Sequence, residues 1–216
     1  MEELTLVQKI VVWALPVIFA ITVHEVAHGW MARKRGDSTA FFMGRLTLNP
    51  LKHIDPIGTV ILPGILLLTG TGMIFGWAKP VPVDPRNFKK PKTDMALVAL
   101  AGPVSNLLMA LIWALIARVG VIVNTESVTL PLAYMGMAGI SINLVLALIN
   151  LIPIPPLDGS RIISGVLPSH LLYKYEKIEP YGFYILIGLM YFGILGVILA
   201  LPMALLHFVF YAIAGL

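Results

Sequence analysis

LTLVQKIVVWALPVIFAITVHEVAHGWM, residues 4–31, is apolar for longer than the roughly 20 residues a helix needs to cross the ~30 Å hydrocarbon core of a bilayer. Its main polar interruptions are Gln8, Lys9 and the group His24, Glu25 and His28. It ends at Arg33-Lys34-Arg35-Gly36, where basic residues and a glycine suit a helix C-terminus. The rest of the chain has the same character. Of 216 residues, 58% are hydrophobic and 12% charged, and the mean hydropathy is +0.91. A soluble domain is about 45–50% apolar and about 25% charged. The expectation is an all-α polytopic membrane protein: a single membrane-embedded domain over 1–216, with about five or six transmembrane helices.

Charge and punctuation refine that picture. The net charge of +4 would weakly suggest nucleic acid in a soluble protein. In a membrane protein it reads as basic cytoplasmic loops, and no nucleic-acid partner is expected. There are no cysteines, so disulfide and thiolate chemistry is excluded. Met1-Glu2-Glu3 does not read as the start of a signal peptide. Further apolar stretches cover 58–77, about 94–118, 130–151 and 181–216. The last reads either as two short helices broken near Gly193 and Gly196 or as one helix kinked at Pro202. Loop 33–52 carries Arg33, Lys34, Arg35, Arg45 and Lys52, and loop 79–92 carries Lys79, Arg86, Lys89, Lys90 and Lys92. If 58–77 crossed the bilayer, these basic loops would face opposite sides, against the positive-inside bias. Pro63, Gly64, Gly70, Gly72 and Gly76 favour a re-entrant loop instead, with a simple glycine-rich span as the other reading.

On a helix, His24 and His28 lie one turn apart on the same face, so both imidazoles can reach one ion at about 2.0–2.1 Å. Glu25 is rotated about 100° round the axis, away from ligation and toward a water beside the metal. A carboxylate there can act as general base. Ionisable groups inside a span cost about 2.5–3.5 kcal/mol each, so three of them together need a compensating partner, and a metal provides one. Hydrogen bonding between helices, with Glu25 protonated, is the plainer reading. Arg33 follows His28 by five residues and His24 by nine. The site therefore sits roughly 7–14 Å from the basic end, within reach of cytoplasmic water. A third ligand is needed. Asp158, just past a proline-stiffened turn, is the best candidate, although it could instead cap a helix starting at Gly159. His53 and Asp55 suit a turn or supporting role, and His207 a structural one.

Three blocks now stand together in order: His24-Glu25-Val26-Ala27-His28, Gly102-Pro103-Val104-Ser105-Asn106, and Asn150-Leu151-Ile152-Pro153-Ile154-Pro155-Pro156-Leu157-Asp158-Gly159. The chain resembles the site-2 protease family of intramembrane zinc metalloproteases, in its compact form without a PDZ domain. The resemblance spans roughly residues 10–168 and leaves 181–216 outside it. It implies a single zinc ion, Zn2+, held by His24, His28 and Asp158, with Glu25 as base. It implies that Asn106 lies near the scissile carbonyl, with Gly102 and Pro103 beside the substrate. It also implies a β-rich re-entrant loop after the first helix, whose edge could hold an unwound substrate strand. The partners expected are the lipid bilayer and the transmembrane helices of membrane-protein substrates. The location expected is a prokaryotic plasma membrane, with the active site toward the cytoplasm. Taken alone, Asn106 and Asn143 would each read as a hydrogen bond between helices. Two rival functions are a zinc transporter and an inactive relative that binds transmembrane segments without cutting them.

Overall fold

The computed structural model describes residues 5–68, 76–123 and 126–216. Its helices are α1 (Leu6–Arg35), α2 (Thr39–Phe42), α3 (Leu62–Leu68), α4 (Pro91–Val123), α5 (Glu126–Leu151), α6 (Asp158–Val166), α7 (Ser169–Glu176), α8 (Gly182–Tyr191) and α9 (Ile194–Ala214). Among the described residues, four stretches are long and apolar enough to cross a membrane: Ile10–Arg35, Pro91–Val123, Thr129–Leu151 and Ile194–Ala214. This is fewer than the five or six expected. The ten residues of α8 give only about 15 Å of helix, too short for a ~30 Å core.

The β-rich re-entrant loop is corrected. Residues 56–61 form a π-helical turn that runs into α3, and no strand occurs among the described residues. Asp55 starts the turn by accepting from the N–H groups of Ile57 and Gly58, so the local capping chemistry favours helix. Gly70 and Gly72 lie outside the described residues. The chain after them, residues 76–84, forms neither helix nor strand. It is pinned to the preceding loop, with Trp77 N–H on Gly58 O at 3.1 Å and Lys79 N–H on His53 O at 2.9 Å.

α4 is the central element, packed against α1, α5, α6 and α9. Small residues let α5 approach it closely. A Cβ on Gly139 would lie 2.2 Å from the Trp113 ring, and one on Gly136 would lie 2.4 Å from Ala117 Cβ. Such contacts suit helices in lipid, where van der Waals packing dominates association. The resulting core includes Ala110, Trp113, Ala114, Ala117, Ile140 and Leu144. Pro16, Pro103, Pro131 and Pro202 all sit inside helices. The C-terminal apolar stretch divides at Gly193, whose φ of +72° favours glycine, and Pro202 does not break α9.

α1 ends where α4 begins. Arg35 at the end of α1 donates through Nε to Asp94 Oδ1 at 2.7 Å, in the first turns of α4. Asp94 also accepts from Lys90 N–H, so it caps that end as well. Beside it, the buried Asp37 carboxylate accepts from Thr39 N–H, Thr39 Oγ1, Asp84 N–H and Asn87 Nδ2. Both basic loops therefore gather at one end of the bundle, near the histidine pair.

Candidate metal centre

α1 carries His24 and His28 on one face, and α4 and α6 complete their surroundings. His28 Nδ1 lies 2.8 Å from Val98 O, which can only accept, so Nδ1 holds the proton. His24 Nδ1 lies 2.6 Å from Asn106 Oδ1. The Asn106 amide is oriented by Ala20 O, which accepts from Nδ2 at 3.1 Å. Its oxygen must then face His24, which donates through Nδ1. Asn106 Nδ2 also donates to Asn143 Oδ1 at 2.9 Å, and Asn143 Nδ2 to Gly139 O at 2.8 Å. Both asparagines are fully buried. The chain of bonds leaves no open end.

With both Nδ1 atoms donating, the neutral imidazoles turn bare Nε2 lone pairs inward. The two Nε2 atoms are 3.0 Å apart. Asp158 Oδ2 lies 3.2 Å from His24 Nε2 and 3.3 Å from His28 Nε2. This oxygen is buried and receives a hydrogen bond from no donor. Three acceptors facing one point repel one another unless a cation lies among them. Their separations match the edges of a zinc tetrahedron, about 3.3 Å for metal–ligand bonds of 2.0–2.1 Å. The residues present thus fit a zinc ion.

Asp158 is the first residue of α6, and its side chain caps no helix N–H. The capping alternative is therefore not what the carboxylate does. Gly159 is what lets α6 begin there: a Cβ on it would lie 2.4 Å from the carbonyl oxygens of Leu151 and Ile152. Gly102 is the floor of the site. A Cβ there would meet His28 Cε1 at 2.5 Å and His24 Cε1 at 2.6 Å, so any side chain would push the imidazoles off their positions. Pro103 is buried behind it. Glu25 Oε2 accepts from Val81 N–H at 2.8 Å.

The other sequence candidates lie elsewhere. His53 is buried with Nε2 on Thr47 O, and Asp55 caps the π-helical turn. His207 stacks on Tyr211 and meets Ser141 Oγ at 3.2 Å between α5 and α9. Asn106 spends its two N–H groups on Ala20 O and Asn143 Oδ1 and its oxygen on His24. Asn143 makes the bond between helices expected of it, accepting from Asn106 Nδ2 and so orienting that amide. An amide inside an apolar helix was the available signal. The roles of Val98 O and Val81 N–H carried no signal, because backbone groups are the same at every position.

Comparison with known proteins finds a matching family and several similar chains. The family described as peptidase family M50 matches residues 116–193, the part containing Asp158. A candidate zinc metalloprotease of Bacillus subtilis, YwhC, is 42% identical over 181 residues, covering 81% of this chain and 78% of its own. The candidate zinc metalloprotease Rip2 of Mycolicibacterium smegmatis is 29% identical over 178 residues, 80% of this chain and 64% of its own. MJ0611 of Methanocaldococcus jannaschii, with the same description, is 28% identical over 144 residues, 65% of this chain and 63% of its own. The chain thus spans less than two thirds of the latter two relatives. No solved structure matches.

Proposed function

The chain belongs to peptidase family M50, the site-2 protease family, and from that membership we propose that it is a zinc metalloprotease cutting peptide bonds within transmembrane segments of other membrane proteins. The observation that carries the reading is the convergence of three donor-less acceptors, His24 Nε2, His28 Nε2 and Asp158 Oδ2, the two histidines lying on a helix long enough to span a bilayer. We assign these three as the ligands of one zinc ion. When bound, zinc supplies Lewis acidity toward a peptide carbonyl and toward water.

The chain's own residues do the rest. Val98 O and Asn106 hold the imidazoles so that their Nε2 lone pairs would face the ion, and such hydrogen-bond partners fix a ligand's orientation and basicity. Glu25, held at Oε2 by Val81 N–H, takes the proton of the attacking water and returns it to the leaving amine. The substrate helix must unwind locally first, because its carbonyls are already hydrogen-bonded. Arg33, Lys34 and Arg35 close the helix that carries the histidines, and this supports a site toward the cytoplasmic face of a prokaryotic plasma membrane.

The test uses purified protein in detergent with a helical membrane substrate. Glu25→Gln is expected to retain zinc and lose cleavage by about 10²–10⁴-fold, the usual contribution of a general base. Cleavage at the wild-type rate would remove Glu25 from the mechanism.

A further inference from the structure

Arg45 is a buried cation. Its side chain is 7% exposed. Among the described residues, no acidic group lies within ion-pair distance of it. Its Nη2 donates to Lys79 O at 2.9 Å and to Pro80 O at 3.4 Å, and its Nε has no partner. Burying a guanidinium on carbonyl groups alone is costly, and a loop has no need of it for packing. Gly44, with φ +64°, turns the chain immediately before it.

One of these carbonyls, Pro80 O, leads to Glu25. Pro80 O and Val81 N–H belong to the same planar peptide, and a trans peptide points the two in opposite directions. Arg45 therefore holds one edge of this peptide while Glu25 Oε2 accepts from the other at 2.8 Å. A cation and a carboxylate at opposite ends of one peptide dipole polarise it along the same line, and each bond strengthens the other. The contact is close because Gly29, one turn after Glu25, has no side chain. A Cβ there would lie 2.9 Å from Val81 Cγ1 and 3.0 Å from Leu46 Cδ2. The stretch that holds this peptide is also tied down on either side, by Lys79 N–H on His53 O and Asp84 N–H on Asp37.

We propose that Arg45 is a positioning residue for Glu25: through the Pro80–Val81 peptide it fixes where the carboxylate stands. The inference rests on the reading of Glu25 as the base. Arg45 touches neither ligand nor substrate, so its removal acts on the rate and not on the metal. Arg45→Ala is expected to lower kcat by about 10–100-fold, the scale of a misplaced catalytic group, with KM and zinc content unchanged. Arg45→Lys, which keeps a charge able to reach one carbonyl, should recover part of the loss.

Hydrogen exchange at the Val81 amide supplies a readout independent of activity. Protection there should fall in Arg45→Ala and in Glu25→Ala, and the double variant should lose no more than the larger single loss. Wild-type kcat in Arg45→Ala, or unchanged protection at Val81, overturns the proposal. If Arg45→Ala does not fold, Arg45→Met retains the apolar stem and is judged by the same two measurements. A wild-type protein that cuts nothing would sink the protease reading instead, and the exchange measurement would still decide whether Arg45 holds the Val81 peptide.

Discussion

Gly102 shows how a residue without a side chain can be essential to a metal site. The His24 and His28 rings occupy the volume its Cβ would fill. Gly102→Ala is therefore expected to strip zinc, as measured by elemental analysis, while helix content is unchanged because alanine suits a helix better than glycine does. The asparagine pair acts by hydrogen bonding instead. Asn106→Leu leaves His24 Nδ1 unpaired, and zinc affinity should fall by about 10–100-fold, the usual effect of losing a ligand's supporting partner. Asn143→Leu acts one bond further out and should weaken zinc binding in the same direction by a smaller factor. Equal affinity in Asn106→Leu and the wild type would mean that the bond does not orient the ring. Glu25 and the two histidines were legible as residues from their spacing alone. Which nitrogen of each ring faces the ion was not, because that depends on groups 70 and 82 positions away.

Among the elements, the join between α1 and the turn before α4 is the most exacting. Asp37 accepts hydrogen bonds from Thr39, Asp84 and Asn87. Burial alone would raise its pKa, but these bonds outweigh that and hold it below the ordinary value. A carboxylate with a lowered folded pKa stabilises fully above its unfolded value, about 3.9, and the stabilisation disappears as pH falls through the folded value. Asp37→Asn should thus cost about 1–3 kcal/mol at pH 7, with the difference from wild type narrowing below about pH 4. Thermal unfolding in detergent across pH 3–7 measures it, and a gap independent of pH would show that the charge does not matter. The segment after α1 was the poorest sequence inference at this scale. Its glycines and Pro63 signal irregular backbone equally well for a β-rich loop or a broken helix. Asp55 settles the described part as helical by satisfying the N–H groups of Ile57 and Gly58.

For the molecule as a whole, the two basic loops lie at one end, tied together by Arg35 with Asp94 and by Asp37 with Asp84 and Asn87. The chain has no native cysteine, so single cysteines report topology cleanly. Lys52→Cys and Lys89→Cys, both exposed, should react with an impermeant reagent from the same side of sealed vesicles. Labelling from opposite sides would break this arrangement. The sequence by itself determined that the chain is helical and suited to a membrane, that His24, Glu25 and His28 share a helix turn, and that Asp158 was the best third ligand. Hydropathy and helical period are local properties, and they survive in any fold the chain adopts. The number of long helices, the partners of each Nδ1, the commitment of Asn106 to His24 and the clamp of Arg45 on the peptide before Glu25 were decided only by tertiary structure. Each depends on atoms brought together from distant parts of the chain, and many of those atoms belong to the backbone, which no residue type reveals.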